Sequence, residues 1–182
     1  MLLGAAGLAF EAIPADIDER AVQQSAALVG PAEIAARLAR EKASVVSMSE
    51  AGKYVVGADQ TLALAGHLFT KPASRSEAEE QLRRLAGRVH ELHSAVAVVR
   101  DGKVLFEGIS AARMTMRKLS EAEIAAYLDE AGEAVTTSVG AYQLEGLGVH
   151  LFERIEGDHF TILGLPLLPL LAFFRSERLL AM

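Results

Sequence analysis

Cysteine and tryptophan are both absent from the 182 residues. Without thiols there is no disulfide framework, no thiolate zinc site and no thiol catalysis, a composition that fits a cytoplasmic protein. A surplus of positive charge is absent too: 18 Lys and Arg stand against 24 Asp and Glu, for a formal net charge of −6. A domain that grips a nucleic-acid polymer needs a basic face for the phosphates, so such a polymer is an unsuitable partner. No apolar run has the length of a membrane span. Residues 160–174 (FTILGLPLLPLLAFF) are too few and are broken by Pro166 and Pro169. Residues 1–10 (MLLGAAGLAF) resemble the apolar part of a signal peptide, but no Lys or Arg precedes them and Glu11, Asp16, Asp18 and Glu19 follow, which argues against export. There is no Walker motif, no Gly-x-Gly-x-x-Gly, no nucleophile elbow, no internal repeat and no low-complexity linker.

What remains is a globular composition, 51% hydrophobic and 23% charged, long enough for one domain with a real core. We expect a single domain over residues 1–182. Residues 2–7 read as the end of a helix stopped by Gly7, residues 10–13 as a short strand ended by Pro14, and residues 16–19 (DIDE) as an acidic loop. Pro31 opens a helix through about Ser47, and residues 54–64 have strand composition. Residues 72–76 form a loop, and Ser76-x-x-Glu79 reads as a capping box for a helix that stops at Gly87. Residues 92–99 and 104–116 are strands joined through the hairpin dipeptide Asp101-Gly102. Ser120-x-x-Glu123 is a second capping box, with its helix ending at Gly132. Residues 149–155 and 159–163 bracket a turn at Glu156-Gly157-Asp158, and Pro166 opens a last helix with Leu167, Leu168, Leu171 and Phe174 on its buried side. Alternating helices and strands with hairpins among them predict an α/β domain with a mixed sheet.

Three residues break the local rules, which is where functional sites are expected. Lys42 falls in the apolar stripe set by Ile34, Leu38, Val45 and Val46. It either snorkels to the rim or presents an ammonium to an anion in a cleft. Asp59 follows the apolar Val55-Val56-Gly57-Ala58, although aspartate is disfavoured in strands and glycine weakens them. It either marks a turn or stands at a strand end as a general base or metal ligand. Lys71 precedes Pro72, which holds its backbone extended, and is otherwise an ordinary loop lysine. Lysines to neutralise oxygens and carboxylates for a metal and a base make a kit for phosphoryl chemistry. The five histidines show no metal-ligand spacing and read as structural or surface residues.

In order along the chain stand Phe10-Glu11, Pro14-Ala15-Asp16-Ile17-Asp18-Glu19, Leu38-Ala39-Arg40-Glu41-Lys42-Ala43, Gly57-Ala58-Asp59, Lys71-Pro72, Leu85-Ala86-Gly87-Arg88-Val89-His90, Leu119-Ser120-Glu121, Gly140-Ala141-Tyr142 and Gly164-Leu165-Pro166-Leu167. Each is weak alone, but the ordered set resembles the Maf family of nucleotide pyrophosphatases over nearly the whole chain. The resemblance implies an α/β fold of the Maf and inosine-triphosphatase-like type, usually a homodimer. It implies hydrolysis of a nucleoside triphosphate to the monophosphate and pyrophosphate with a divalent cation, Mg2+ or Mn2+. By the same resemblance Asp59 is the base, Lys42 and Lys71 neutralise phosphates, and Glu19 is the loop glutamate that shares the metal with Asp59. Gln60, Glu145 in Leu144-Glu145-Gly146, and Leu151-Phe152-Glu153-Arg154 look like the branch that acts on 7-methyl-GTP, unlike the dTTP/UTP branch with Thr after the Asp. A carboxylate at Glu145 suits the all-donor edge of a methylated guanine. The family opens with a strand and a Ser-x-x-Arg segment, on the order of 15 residues, that this chain lacks. We therefore expect an N-terminally short domain whose first strand is missing, through a misplaced start, a truncation or degeneration to a non-catalytic nucleotide-binding or septum-related member; the alternative activity is that of a dTTP/UTP pyrophosphatase.

Overall fold

The computed structural model describes residues 2–26 and 30–180. Met1, the first residue of the apolar start, lies outside them. Five strands form one sheet in the order β2-β1-β3-β4-β5: β1 (Val55–Leu64), β2 (His67–Phe69), β3 (Val89–Arg100), β4 (Lys103–Met116) and β5 (Phe152–Glu156). β1 pairs antiparallel with β2 through Leu62–Phe69, Ala63–Leu68 and Leu64–His67, and β4 pairs antiparallel with β5. The helices are α1 (Leu2–Ala5), α2 (Glu19–Ala26), α3 (Pro31–Ser49), α4 (Arg75–Leu85), α5 (Glu121–Ala131), α6 (His159–Ile162) and α7 (Leu167–Ser176). The α/β class with a mixed sheet and flanking helices is as expected. No helix among the described residues is long and apolar enough to cross a membrane.

The chain divides into two compact units. One comprises Met1–Gln60, His93–Ser110 and His159–Met182, the other Thr61–Leu92 and Ala111–Asp158. In the first, alternation along the strands gives two packed faces. Ala35, Ala36, Ala39 and Ala43 of α3 lie on Ala95, Ala97, Val99 and Val55. These small residues let a helix come close to a sheet, and Gly57 carries this furthest. A Cβ there would lie 2.2 Å from the Ala39 carbonyl oxygen and 2.8 Å from the Ala43 nitrogen. The opposite face, with Val56, Ala58, Val96 and Val98, packs on Leu165, Leu167, Leu170 and Phe174. The buried side of α7 is thus Leu167, Leu170 and Phe174, whereas Leu168 is 57% exposed, contrary to the helical phase read from sequence.

The second unit buries Leu62, Phe69, Ala78, Leu82, Leu85, Leu92, Met114, Met116, Ile124 and Leu128. At its centre His90 is fully buried, with Nε2 2.8 Å from the Tyr142 hydroxyl and its ring packed against Tyr142 and Phe152. Burial pushes the His90 pKa down to about 4 and raises that of Tyr142.

Local signals held unevenly. Gly7 has φ of 77°, and the Asp101-Gly102 turn has φ of 51° and 73°, as a tight hairpin of this type requires. The Ser120–Glu123 capping box is present, and hydrogen bonds from Ser120 and Arg117 hold the Glu123 pKa down to about 2. The other box is displaced. Ser74 caps α4 by accepting from the Glu77 N–H, and a Glu77 oxygen takes the Ala73 N–H, so Ser76 and Glu79 lie inside the helix. Residues 8–18 contain no strand, because no neighbouring strand pairs with residues 10–13. Helix α2 begins at Glu19, where an acidic loop was expected. Its first turn is capped by Asp18, whose Oδ1 accepts the Ala21 N–H at 3.0 Å.

Candidate active site

Helix α3 carries Lys42 between the buried Leu38 and Val46, each one turn away. On β1, Asp59 shares a face with Gly57, whose missing side chain admits α3. These two local choices put the Lys42 Nζ 2.6 Å from Asp59 Oδ1. The Glu19 carboxylate, at the start of α2, reaches the same ammonium at 2.8 Å. Side-chain exposure falls from 52% at Glu19 to 24% at Lys42 and 12% at Asp59, so the chain of charges runs inward from solvent. Burial pulls the Lys42 pKa down, but its hydrogen bonds and charge contacts with Asp59 and Glu19 outweigh that, and the pKa ends above the ordinary lysine value. Lys42 is therefore charged at neutral pH.

A cavity of about 470 Å3 reaches Lys42, with Lys53, Glu50 and Tyr54 at its polar margin and Phe10 and Val46 in its walls. Asp59 and Glu19 do not line it. As metal donors, Asp59 and Glu19 are hard carboxylates that suit Mg2+ or Mn2+, which take one or two protein carboxylates and draw the remaining ligands from phosphate and water. No group of three or more His, Cys, Asp or Glu gathers as a metal cage among the described residues. Both carboxylates are turned to the Lys42 ammonium, and a cation held by them would draw its other ligands from phosphate and water.

Of the other sequence-selected residues, Gln60 lies on the opposite face of β1 from Asp59. Its Nε2 donates to Ser94 Oγ at 2.8 Å and to the carbonyls of Thr161 and Ile162 at 3.0 and 3.1 Å. Those carbonyls belong to α6, so Gln60 and the buried Ser94, which also donates to Thr161 O at 2.6 Å, cap the end of that short helix. Lys71 and Glu145 belong to the second unit. Both are exposed, Lys71 beside the buried Pro72 and Glu145 in the turn closed by Gly146 N–H donating to Gln143 O at 3.2 Å. Gly148 packs on that turn, since a Cβ there would lie 2.4 Å from the Gln143 oxygen. The sequence reading missed Gly57 as the residue that sets the helix-to-strand distance. Its signal was a glycine inside an apolar strand.

With this geometry in hand, comparison with known proteins places the chain. The sequence profile described as Maf-like protein matches residues 1–177. A nucleoside triphosphate pyrophosphatase of Bradyrhizobium diazoefficiens is 68% identical over 181 residues, spanning 100% of this chain and 90% of that protein. One of Rhodopseudomonas palustris (strain BisB18) is 66% identical over 181 residues with the same coverage. A 7-methyl-GTP pyrophosphatase of Rhizobium meliloti is 51% identical over 177 residues, 96% of this chain and 89% of that protein. Matches of this extent, over residues that include the Glu19–Lys42–Asp59 arrangement, establish that the chain belongs to the Maf family.

Proposed function

We propose that the protein hydrolyses a nucleoside triphosphate to the monophosphate and pyrophosphate. The observation that carries this reading is the Lys42 ammonium seated between Asp59 and Glu19 in a member of this family. Asp59, held by Lys42 at 2.6 Å, takes a proton from the attacking water as the water oxygen bonds the α-phosphorus. The bond from that phosphorus to the bridging oxygen breaks, and pyrophosphate leaves. Lys42 and Lys71 offset the negative charge on the phosphate oxygens. A divalent cation held by Asp59, Glu19 and the triphosphate would supply further neutralisation and polarise the water.

The preferred nucleotide in this reading is 7-methyl-GTP, supported by the likeness to a relative of that name. Glu145 reads the guanine edge by accepting its N–H donors. The Gln60 nitrogen is committed to Ser94, Thr161 and Ile162, so base reading by Gln60 is left to its amide oxygen and Glu145 carries the larger share. The protein acts in the cytoplasm as a homodimer in the same proposal. A pyrophosphate-release assay with Mg2+ over 7-methyl-GTP, UTP, dTTP and GTP tests it, and 7-methyl-GTP should turn over fastest. Turnover of dTTP with none of 7-methyl-GTP rejects the base assignment, and silence on every nucleotide rejects hydrolysis. Glu145→Gln should narrow the preference for 7-methyl-GTP over UTP by roughly tenfold or more.

A further inference from the structure

The buried stripe of α4 reads Ala78, Gln81, Leu82 and Leu85. Three of the four are apolar, and a leucine at the remaining place would complete the stripe. A buried carboxamide is costly unless both of its ends find partners. Those of Gln81, only 9% exposed, do. Its Nε2 donates to the Thr70 carbonyl at 2.9 Å, and its Oε1 accepts the Gly140 N–H at 3.1 Å. Each partner belongs to a segment that carries a candidate ligand group. Thr70 immediately precedes Lys71, which is flanked on its other side by the buried Pro72 and is restricted by it. Gly140 has φ of 79° and Ala141 φ of 62°. A Cβ at Gly140 would lie 2.6 Å from Leu62 Cδ1 and 2.9 Å from Tyr142 Cε1, so only glycine fits. From there the chain runs through the buried Tyr142 into the Gln143–Gly146 turn that bears Glu145.

We infer that Gln81 is a positioning residue: one carboxamide fixes both the segment that presents Lys71 and the segment that leads to Glu145. This rests on the reading that Lys71 and Glu145 contact the nucleotide. Neither end of the amide touches substrate. It acts by removing freedom from two exposed groups that otherwise sit on turns, and misplacement of a binding group is enough to weaken binding severalfold. A glutamate at 81 still accepts from Gly140 but cannot donate to Thr70 while ionised, and it regains that donor when protonated.

The test measures KM and kcat for pyrophosphate release, together with thermal unfolding, for Gln81→Glu, Gln81→Met and Lys71→Ala, and for each Gln81 variant combined with Lys71→Ala. Methionine keeps the side-chain volume, so that variant carries the measurement if the glutamate weakens folding. Gln81→Glu should raise KM by about tenfold with a smaller change in kcat, and the defect should shrink as the pH is lowered toward 5. The Gln81→Met defect should show no such relief. In the Lys71→Ala background the further rise in KM should fall to about threefold or less, because the group being positioned is gone. A wild-type KM in both Gln81 variants beside an impaired Lys71→Ala overturns the positioning role alone. So does an undiminished defect in the Lys71→Ala background, which marks a purely structural loss. A wild-type KM for Lys71→Ala overturns the underlying assignment of Lys71, and the positioning role falls with it.

Discussion

The two compact units hold their polar residues by different means. In the first, Lys42 and Asp59 stand on a helix of 19 residues and a strand of 10, pressed together through Gly57. In the second, Lys71 and Glu145 sit on short connecting segments that gain order from a buried carboxamide and a glycine that no other residue can replace. Regular elements fix an atom to fractions of an ångström, while loops on a rigid base tolerate sequence change. In the proposed function the contrast puts the general base, Asp59, on the rigid frame of the first unit and Glu145, which reads the nucleotide base, on the loops of the second.

The hardest blow to that division comes from Asp59→Asn. Its kcat should fall by roughly 10²–10⁴ with the fold retained, read by pyrophosphate release and circular dichroism. A near wild-type rate would remove bond making from the first unit. Acid should separate the units thermodynamically. The folded-state pKa of His90, about 4, lies below its ordinary 6.5, so the unfolded chain takes up the proton first. The stability contribution is full above pH 6.5 and is lost as the pH falls toward 4, amounting to about 3 kcal/mol. Urea unfolding across that range should show the loss, and His90→Gln should flatten it. Amide exchange should rise in α4 and α5 before α3, and loosening of α3 first would contradict the comparison. The smallest effect is expected from Gly57→Ala, whose Cβ has no room against Ala39. It should destabilise by about 1–3 kcal/mol and lower kcat more than it raises KM, because α3 and with it Lys42 must move.

Lys42 and Asp59 were legible in the sequence because each violates its local pattern, and such violations persist only when something compensates. Glu19 was legible as part of the acidic run 16–19, and the family resemblance alone singled it out there. Its helix is polar (ERAVQQSA), and its order depends on Asp18 as a cap and on Ile17 and Val22 packing against Ile34 and Leu38. Residues 159–163 contain phenylalanine, threonine, isoleucine and leucine, a strand-like composition. They nonetheless turn into α6, because Gln60 and Ser94 satisfy its terminal carbonyls, and no short window of sequence contains those donors. The displacement of the α4 cap from Ser76 to Ser74 has a simpler origin. Both serines have a glutamate three residues on, and the choice falls to the one that also satisfies the Ala73 N–H. The opposite orientations of Asp59 and Gln60 follow from strand alternation alone, so that part of the site was readable once β1 was assigned.

The ammonium between two acids has a consequence for the resting protein. Asp59 and Glu19 stand close enough to share one lysine, and without it their like charges would push α2 away from β1. Lys42 is thus a resident counter-ion that joins the start of α2 to β1. In the proposed function an incoming phosphate meets a cation already engaged, and its binding is an exchange of anions around one ammonium rather than the filling of a bare positive hole.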